Sequence, residues 1–112
     1  MNVQIPPRFL EKVDTIIEEN LSNEDFDVTA LSNQLQLSNS QVYRKIKQQT
    51  DSCPTEYVRN LRLNYAKELV EASDLRLSEI TYRVGFSSLS YFSRCFSDYF
   101  GYPPSNLRAA ND

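Results

Sequence analysis

A chain of 112 residues with 40% hydrophobic and 12% aromatic content can close one compact unit, or two very small ones that share an element. It has no histidine, which removes Ser-His-Asp and Cys-His nucleophile systems and any zinc site built from Cys and His; no Asp or Glu pair converges on an apolar pocket by spacing. The net charge of −3 argues against indiscriminate nucleic-acid binding, no apolar run approaches membrane-spanning length, and Cys53 and Cys95 make no disulfide framework and fit a reducing cytoplasm.

The charge is unevenly placed. Residues 1–27 carry seven acidic side chains against Arg8 and Lys12, whereas residues 41–67 carry six basic ones against Asp51 and Glu56. One part repels polyanions and another attracts them. The opening MNVQIPPRF has no basic region followed by a long apolar one, so no signal peptide is expected, and residues 1–4 read as a frayed start. Helical periodicity then runs almost throughout, with only two glycines, and predicts an all-α protein of about seven helices.

The first helix is predicted over about residues 7–20, with Phe9, Leu10, Val13, Ile16, Ile17 and Leu21 on one face and a polar loop over 22–26 behind it. Asp27 can cap a short second helix from Val28 to about Gln36, in which Val28, Leu31 and Leu35 point inward. After a turn at Leu37, Ser38-Asn39-Ser40-Gln41 fits the capping box of a third helix with Val42 and Ile46 buried. Residues 54–73 form a long fourth helix, with Pro54 at the first helical position and Glu56 near the positive end. Val58, Leu61, Tyr65, Leu69 and Ala72 make one apolar stripe on it; Leu63, Ala66 and Val70 make a second; Asn60, Asn64, Lys67 and Glu71 are left as the wet face. Two stripes imply two bodies to pack against. At about 1.5 Å per residue this helix spans roughly 27 Å, close to one turn of B-DNA. Arg62 falls inside the apolar arc and is expected to be structural, held by a carboxylate or by carbonyls at a helix end.

Leu77, Ile80 and Val84 mark a fifth helix, and Gly85-Phe86 makes a turn in which Gly85 is free to be left-handed. Ser87 or Ser88 starts a sixth helix buried through Phe92, Phe96 and Phe100. The series Phe86, Tyr91, Phe92, Phe96, Tyr99 and Phe100 reads as core and not as a stacking platform, and Cys95 as an inert small hydrophobe on the core side; Cys53 shows no sign of activation. Gly101 and Tyr102-Pro103-Pro104 lead to a last short helix containing Leu107.

These segments repeat one plan. At a spacing of 49, Val28 pairs with Leu77, Leu31 with Ile80, Leu35 with Val84, Leu37 with Phe86 and Ser38 with Ser87. One extra residue in the second turn makes the spacing 50, pairing Val42 with Phe92, Arg44 with Arg94, Ile46 with Phe96, Asp51 with Gly101, Pro54 with Pro104 and Tyr57 with Leu107. Short helix, tight turn and longer helix with a polar outer face is the helix-turn-helix plan, present twice.

Opposite Val42 and Ile46 the third helix carries Ser40, Arg44 and Lys47, flanked by Tyr43 and Gln48; opposite Phe92 and Phe96 the sixth carries Ser90, Arg94 and Ser97, flanked by Ser93, with Leu89 near its start. A guanidinium can pair with guanine O6 and N7, so Arg44 and Arg94 are the leading base readers. Ser40, Tyr43, Ser90 and Ser93 can add hydrogen bonds, Leu89 can meet a thymine methyl, and Lys47 and Gln48 suit phosphate. An exposed helical arginine is ordinarily just solvated; equivalent places in two repeats lift this pair above that.

The stretches LSNSQVYRKIK, EYVRNLRLNYAKELV and EITYRVGFSSLSYFSRCFSDYFGYPPSNLR make residues 31–108 resemble the DNA-binding domain of the AraC/XylS family of bacterial transcription regulators. The resemblance implies two helix-turn-helix subdomains joined by a long helix, with both recognition helices able to enter successive major grooves of bent DNA, although some members dock only one firmly. Carried over by position, it adds Ser88 to Ser40, Tyr43, Arg44, Leu89, Ser90, Ser93 and Arg94 as base-contact candidates. Asp51 stands where the family usually has glycine, so that helix end requires a left-handed aspartate, and the overall charge is acidic where many members are basic. The YRKIK and NLRL segments look like the output ends of hybrid two-component regulators, which implies a receiver or sensor domain in a full-length protein; the family also has short free-standing members of about this length.

The resulting expectation is a first helix-turn-helix subdomain with its acidic N-terminal helix over residues 1–53, a linker helix over 54–73 and a second helix-turn-helix subdomain over 74–112, acting as a sequence-specific double-stranded DNA binder and transcription activator. It should work in the bacterial cytoplasm at the nucleoid, with RNA polymerase as partner, as a dimer on DNA, away from membranes and without cofactor or metal. The rival class is a helical protein-interaction module whose acidic first helix docks a receiver, sensor or polymerase subunit. An enzyme is the remote third.

Overall fold

Side-chain caps mark where three helices of this chain begin. The computed structural model describes residues 8–109, so the start expected over residues 1–4 and the first helical position at Pro7 lie outside the described residues. The helices are α1 Phe9–Glu19, α2 Val28–Leu35, α3 Asn39–Thr50, α4 Pro54–Ala72, α5 Leu77–Arg83, α6 Leu89–Phe100 and α7 Asn106–Ala109. Asp27 caps α2 by accepting from the Ala30 N–H at 2.9 Å. Ser38 and Gln41 form the full capping box of α3, the serine oxygen accepting from Gln41 N at 3.1 Å and Gln41 Oε1 accepting from Ser38 N at 2.9 Å. α6 starts at Ser88, which accepts from Tyr91 N at 3.2 Å. Ser38 therefore corresponds to Ser88 at a spacing of 50, not to Ser87 at 49; the extra residue of the second turn comes before the cap.

The two turns close alike. Leu37 N–H donates to Ser32 O and Phe86 N–H to Thr81 O, each at 3.0 Å, and Ser32 and Thr81 are both buried. Gln36 (φ 58°) and Gly85 (φ 87°) are left-handed at matching places, and so are Asp51 (φ 63°) and Gly101 (φ 86°) at the ends of α3 and α6. The left-handed aspartate expected at residue 51 is present.

Two cores lie along the molecule. The first joins Val13, Ile17, Phe26, Leu31, Val42, Ile46 and Val58; the second joins Leu63, Ala66, Val70, Ile80, Val84, Phe86, Phe92 and Phe96. α4 serves both, but the division expected between its two stripes is wrong. Val58 and Leu61 pack on the first core, whereas Leu63, Tyr65, Ala66, Leu69 and Val70 all pack on the second. The helix is shared end to end, because the cores sit one after the other along its axis. Ala72, expected on a stripe, is exposed past the reach of the second core, and Asn60 and Lys67 of the supposed wet face are half-buried, with Lys67 Nζ 5.1 Å from the Phe100 ring centroid. Tyr91 and Tyr99, taken as core from the sequence, are 40% and 43% exposed.

Arg62 joins the two halves. It is 5% exposed, and its guanidinium donates to four backbone carbonyls: Nη1 to Leu21 O at 2.7 Å and Val84 O at 2.8 Å, Nη2 to Asn23 O at 3.1 Å and Phe26 O at 3.4 Å. Leu21, Asn23 and Phe26 belong to the connection after α1, and Val84 ends α5, so one side chain binds both halves to the middle of α4. Its holders are carbonyls and not a carboxylate; burial draws its pKa below the ordinary arginine value. The turn is shaped around it: a Cβ built on Gly85 falls 1.3 Å from Arg62 Nη1 and 2.5 Å from Leu21 O. Arg108 does similar work at the far end, donating to Val70 O at 3.3 Å, Ser73 O at 2.9 Å and Leu75 O, which closes the end of α4.

Arg62→Ala should cost about 3 kcal/mol or more by chemical denaturation, because it strands the buried carbonyls of Val84 and Phe26 and unties the two halves, and Arg62→Lys should not restore it. Gly85→Ala should also destabilise, by less in an Arg62→Ala background, where the Nη1 clash is gone. An Arg62→Ala midpoint equal to wild type would show the joint to be idle.

A second tie is tunable by pH. Tyr57 Oη donates to Asp14 Oδ1 at 2.5 Å, linking α4 to α1, and burial, then the Asp14 hydrogen bond and charge, push the phenol well above its ordinary range. The folded phenol thus keeps its proton where the unfolded one has lost it; the contribution is complete below about pH 10 and is lost as pH climbs further. Stability should fall through the alkaline range, and Tyr57→Phe should flatten that fall. Parallel curves for the two proteins would exclude the bond as its source.

Candidate nucleic-acid interface

α3 and α6 orient their outer side chains by the same burial. Val42 and Ile46 of α3 and Phe92 and Phe96 of α6 are fully buried, and at 100° per residue that leaves Ser40 and Arg44, and Ser90 and Arg94, at the opposite pole. All four are exposed. Gln48 and Lys47 are exposed on α3, and Tyr43, 51% exposed, lines a cleft of about 490 Å³ with Val28, Ser40, Cys53 and Thr55. Lys47 Nζ donates to Asp51 O at 2.8 Å, at the carbonyl end of its own helix; an ammonium has two further protons to offer.

The second head differs in detail. Leu89 is exposed and Ser93 half-buried. Ser88 is the cap and not a residue of the helix face, its oxygen engaged by the Tyr91 N–H. The Arg94 guanidinium carbon lies 5.7 Å from the Tyr91 ring centroid. Arg94 also borders a polar cleft of about 500 Å³ between α4 and α6, with Glu56, Arg59, Asn60 and Asp98.

Three residues at this surface escaped the reading of the sequence. The aromatic character of Tyr91 suggests core, but it sits one position, hence about 100°, off the Phe92 stripe. Arg59 is half-exposed on α4 beside Arg94, and Asp98 puts a carboxylate one turn beyond Arg94, where α3 has Gln48. Spacing from the buried phenylalanines would have placed Asp98; Arg59 needed the packing of α6 on α4.

Two like helix-turn-helix units, each presenting a polar recognition helix and sharing a spacer, define a double helix-turn-helix DNA-binding domain and not a catalytic centre. The helix-turn-helix domain family profile matches residues 31–110, and the chain belongs to this family, in its AraC/XylS type. Histidine kinase P4 of Formosa agariphila is 41% identical over 104 residues, covering 93% of this chain and 8% of that protein. The HTH-type transcriptional activator RhaS of Escherichia coli is 36% identical over 83 residues, covering 74% of this chain and 30% of the relative. The DNA-binding domain of AdpA, solved in complex with a target DNA, has a TM-score of 0.81 at 30% identity and covers 90% of both chains. The chain thus spans less than a third of the length of these curated relatives.

Proposed function

We propose that this domain regulates transcription by setting α3 and α6 into successive major grooves on one face of a duplex. Residues 1–53 and 74–112 are the two reading subdomains and residues 54–73 the bar between them. The observation that carries this is the matched pair of exposed arginines, Arg44 and Arg94, each opposite a fully buried pair on a helix that follows a tight turn. α4 has 19 residues, about 28 Å at 1.5 Å per residue, and the molecule extends 50 Å along its longest axis, room for two heads about 34 Å apart.

In this reading Arg44 and Arg94 pair with guanine edges, Ser40, Tyr43, Ser90 and Ser93 add hydrogen bonds, Leu89 meets a thymine methyl, and Lys47 and Gln48 hold phosphate. Ser88 contributes chiefly by fixing the start of α6. The likeness to an activator supports activation, with RNA polymerase as a partner and a dimer on DNA; the likeness to a histidine kinase supports a receiver or sensor elsewhere in a longer chain. The setting is the bacterial cytoplasm, at the nucleoid; no helix among the described residues is long and apolar enough to cross a membrane. Exposed Glu11, Glu18 and Glu19 on α1 suit a protein neighbour and not a polyanion, so docking to a receiver, sensor or polymerase subunit accompanies DNA binding here.

Selection of bound fragments from random duplex, followed by gel-shift titration, tests the proposal. Arg94→Ala should cost about 1–3 kcal/mol at one base pair, and Arg44→Ala the same at another about 10 base pairs away. Lys47→Ala should weaken all sequences alike and lower the salt slope by about one. Equal losses on specific and random DNA for both arginine variants would refute direct readout.

A further inference from the structure

The two recognition arginines are not held alike. Tyr91 lies one turn ahead of Arg94 on α6, with its backbone N–H fixed by the Ser88 cap. Its ring packs 5.8 Å from Phe86, and Phe86 packs edge-on against the buried Phe92 at 5.3 Å. The other side of that chain of rings meets the Arg94 guanidinium at 5.7 Å. An aromatic ladder therefore runs from the second core out to the reading atom. In α3 the position that corresponds to Tyr91 is Gln41, whose Oε1 is turned back to accept from Ser38 N in the capping box. The place beneath Arg44 is thus filled by a side chain already engaged at the cap.

We infer that Tyr91 is a positioning residue for base readout, a platform that holds the Arg94 guanidinium in place before DNA arrives. This rests on the reading of Arg94 as a base contact. A free arginine surrenders rotamer freedom when it forms a two-pronged pair with guanine, and one already laid against a ring surrenders less. Attraction of a cation to a ring uses the ring's quadrupole and consumes none of the guanidinium's N–H donors. It also competes with two carboxylates on the same cleft, Glu56 on α4 and Asp98 one turn further along α6, that would draw the cation off the ring. α6 is accordingly the stricter head, and α3, whose arginine has no such ring at the corresponding place, the more adaptable one.

The test uses the whole chain and a duplex selected as above. Arg94→Ala first identifies the base pair it reads. At that pair Tyr91→Leu should reduce discrimination about two- to five-fold, the range of an exposed cation–ring contact, with unchanged affinity for random duplex and unchanged salt slope. Tyr91→Phe should discriminate like wild type, and Tyr91→Leu should add nothing in an Arg94→Ala background. In the free protein, the ring-current shift of the Arg94 Nε–H proton should vanish in Tyr91→Leu and persist in Tyr91→Phe. Equal discrimination by Tyr91→Leu and wild type, or a loss spread over every sequence, overturns the platform while Arg94 readout stands. If Arg94→Ala relaxes no base pair, the readout assignment falls and the platform's role with it.

Discussion

A buried cation with four carbonyl partners sets the geometry of this domain. Two small helical units, each with its own apolar core, have little reason to keep a fixed relation through a shared helix alone, since a helix can bend and its flanking connections can slide. Arg62 removes that freedom. Its planar fork reaches from the middle of α4 to the connection after α1 and to the end of α5, and each hydrogen bond uses a charged donor, two of them to buried carbonyls. Only arginine has enough donors, in a rigid enough array, to satisfy carbonyls from both halves at once. Gly85 follows from it, because any side chain there would occupy the space of the guanidinium. Arg108 closes the carbonyl end of α4 by the same chemistry, so the bar is secured at its middle and at its far end.

With that joint in place, the outer faces of α3 and α6 are determined by what is buried. Phe92 and Phe96 take one side of α6, which commits Arg94 to the other; Val42 and Ile46 do the same for Arg44. The equivalence of the halves extends to cap, turn and helix end, yet their surfaces differ. α6 carries Tyr91 under its arginine and Asp98 beyond it, whereas α3 carries Gln41 and Gln48. The first half also has the acidic α1 beside it. A repeat can thus conserve the frame of a recognition device and vary its grip.

Much of this was legible in the residues. The helices, the capping box at Ser38, the structural role of Arg62 and the repeat all follow from local rules that act over a few positions: which side chain can bond a free N–H and which face repeats every 3.6 positions. The left-handed Asp51 is implied by the family resemblance, where glycine is usual. The errors came where local rules are silent. Ala72 has the right period for a stripe but lies beyond the second core. Tyr91 and Tyr99 have the right chemistry for a core but lie beside it, and the counterpart of Ser38 is Ser88, not Ser87.

The sequence by itself determined that the chain is helical, that its plan occurs twice around a long helix, and that Arg44 and Arg94 occupy equivalent outer places, because period and capping are properties of neighbouring residues. Only the tertiary structure decided that α4 is divided along its length between two cores, that Arg62 takes carbonyls from both halves, and that Tyr91 lies under Arg94. Those facts depend on where distant segments come to rest, and burial of a shared apolar surface, not spacing along the chain, brings them together.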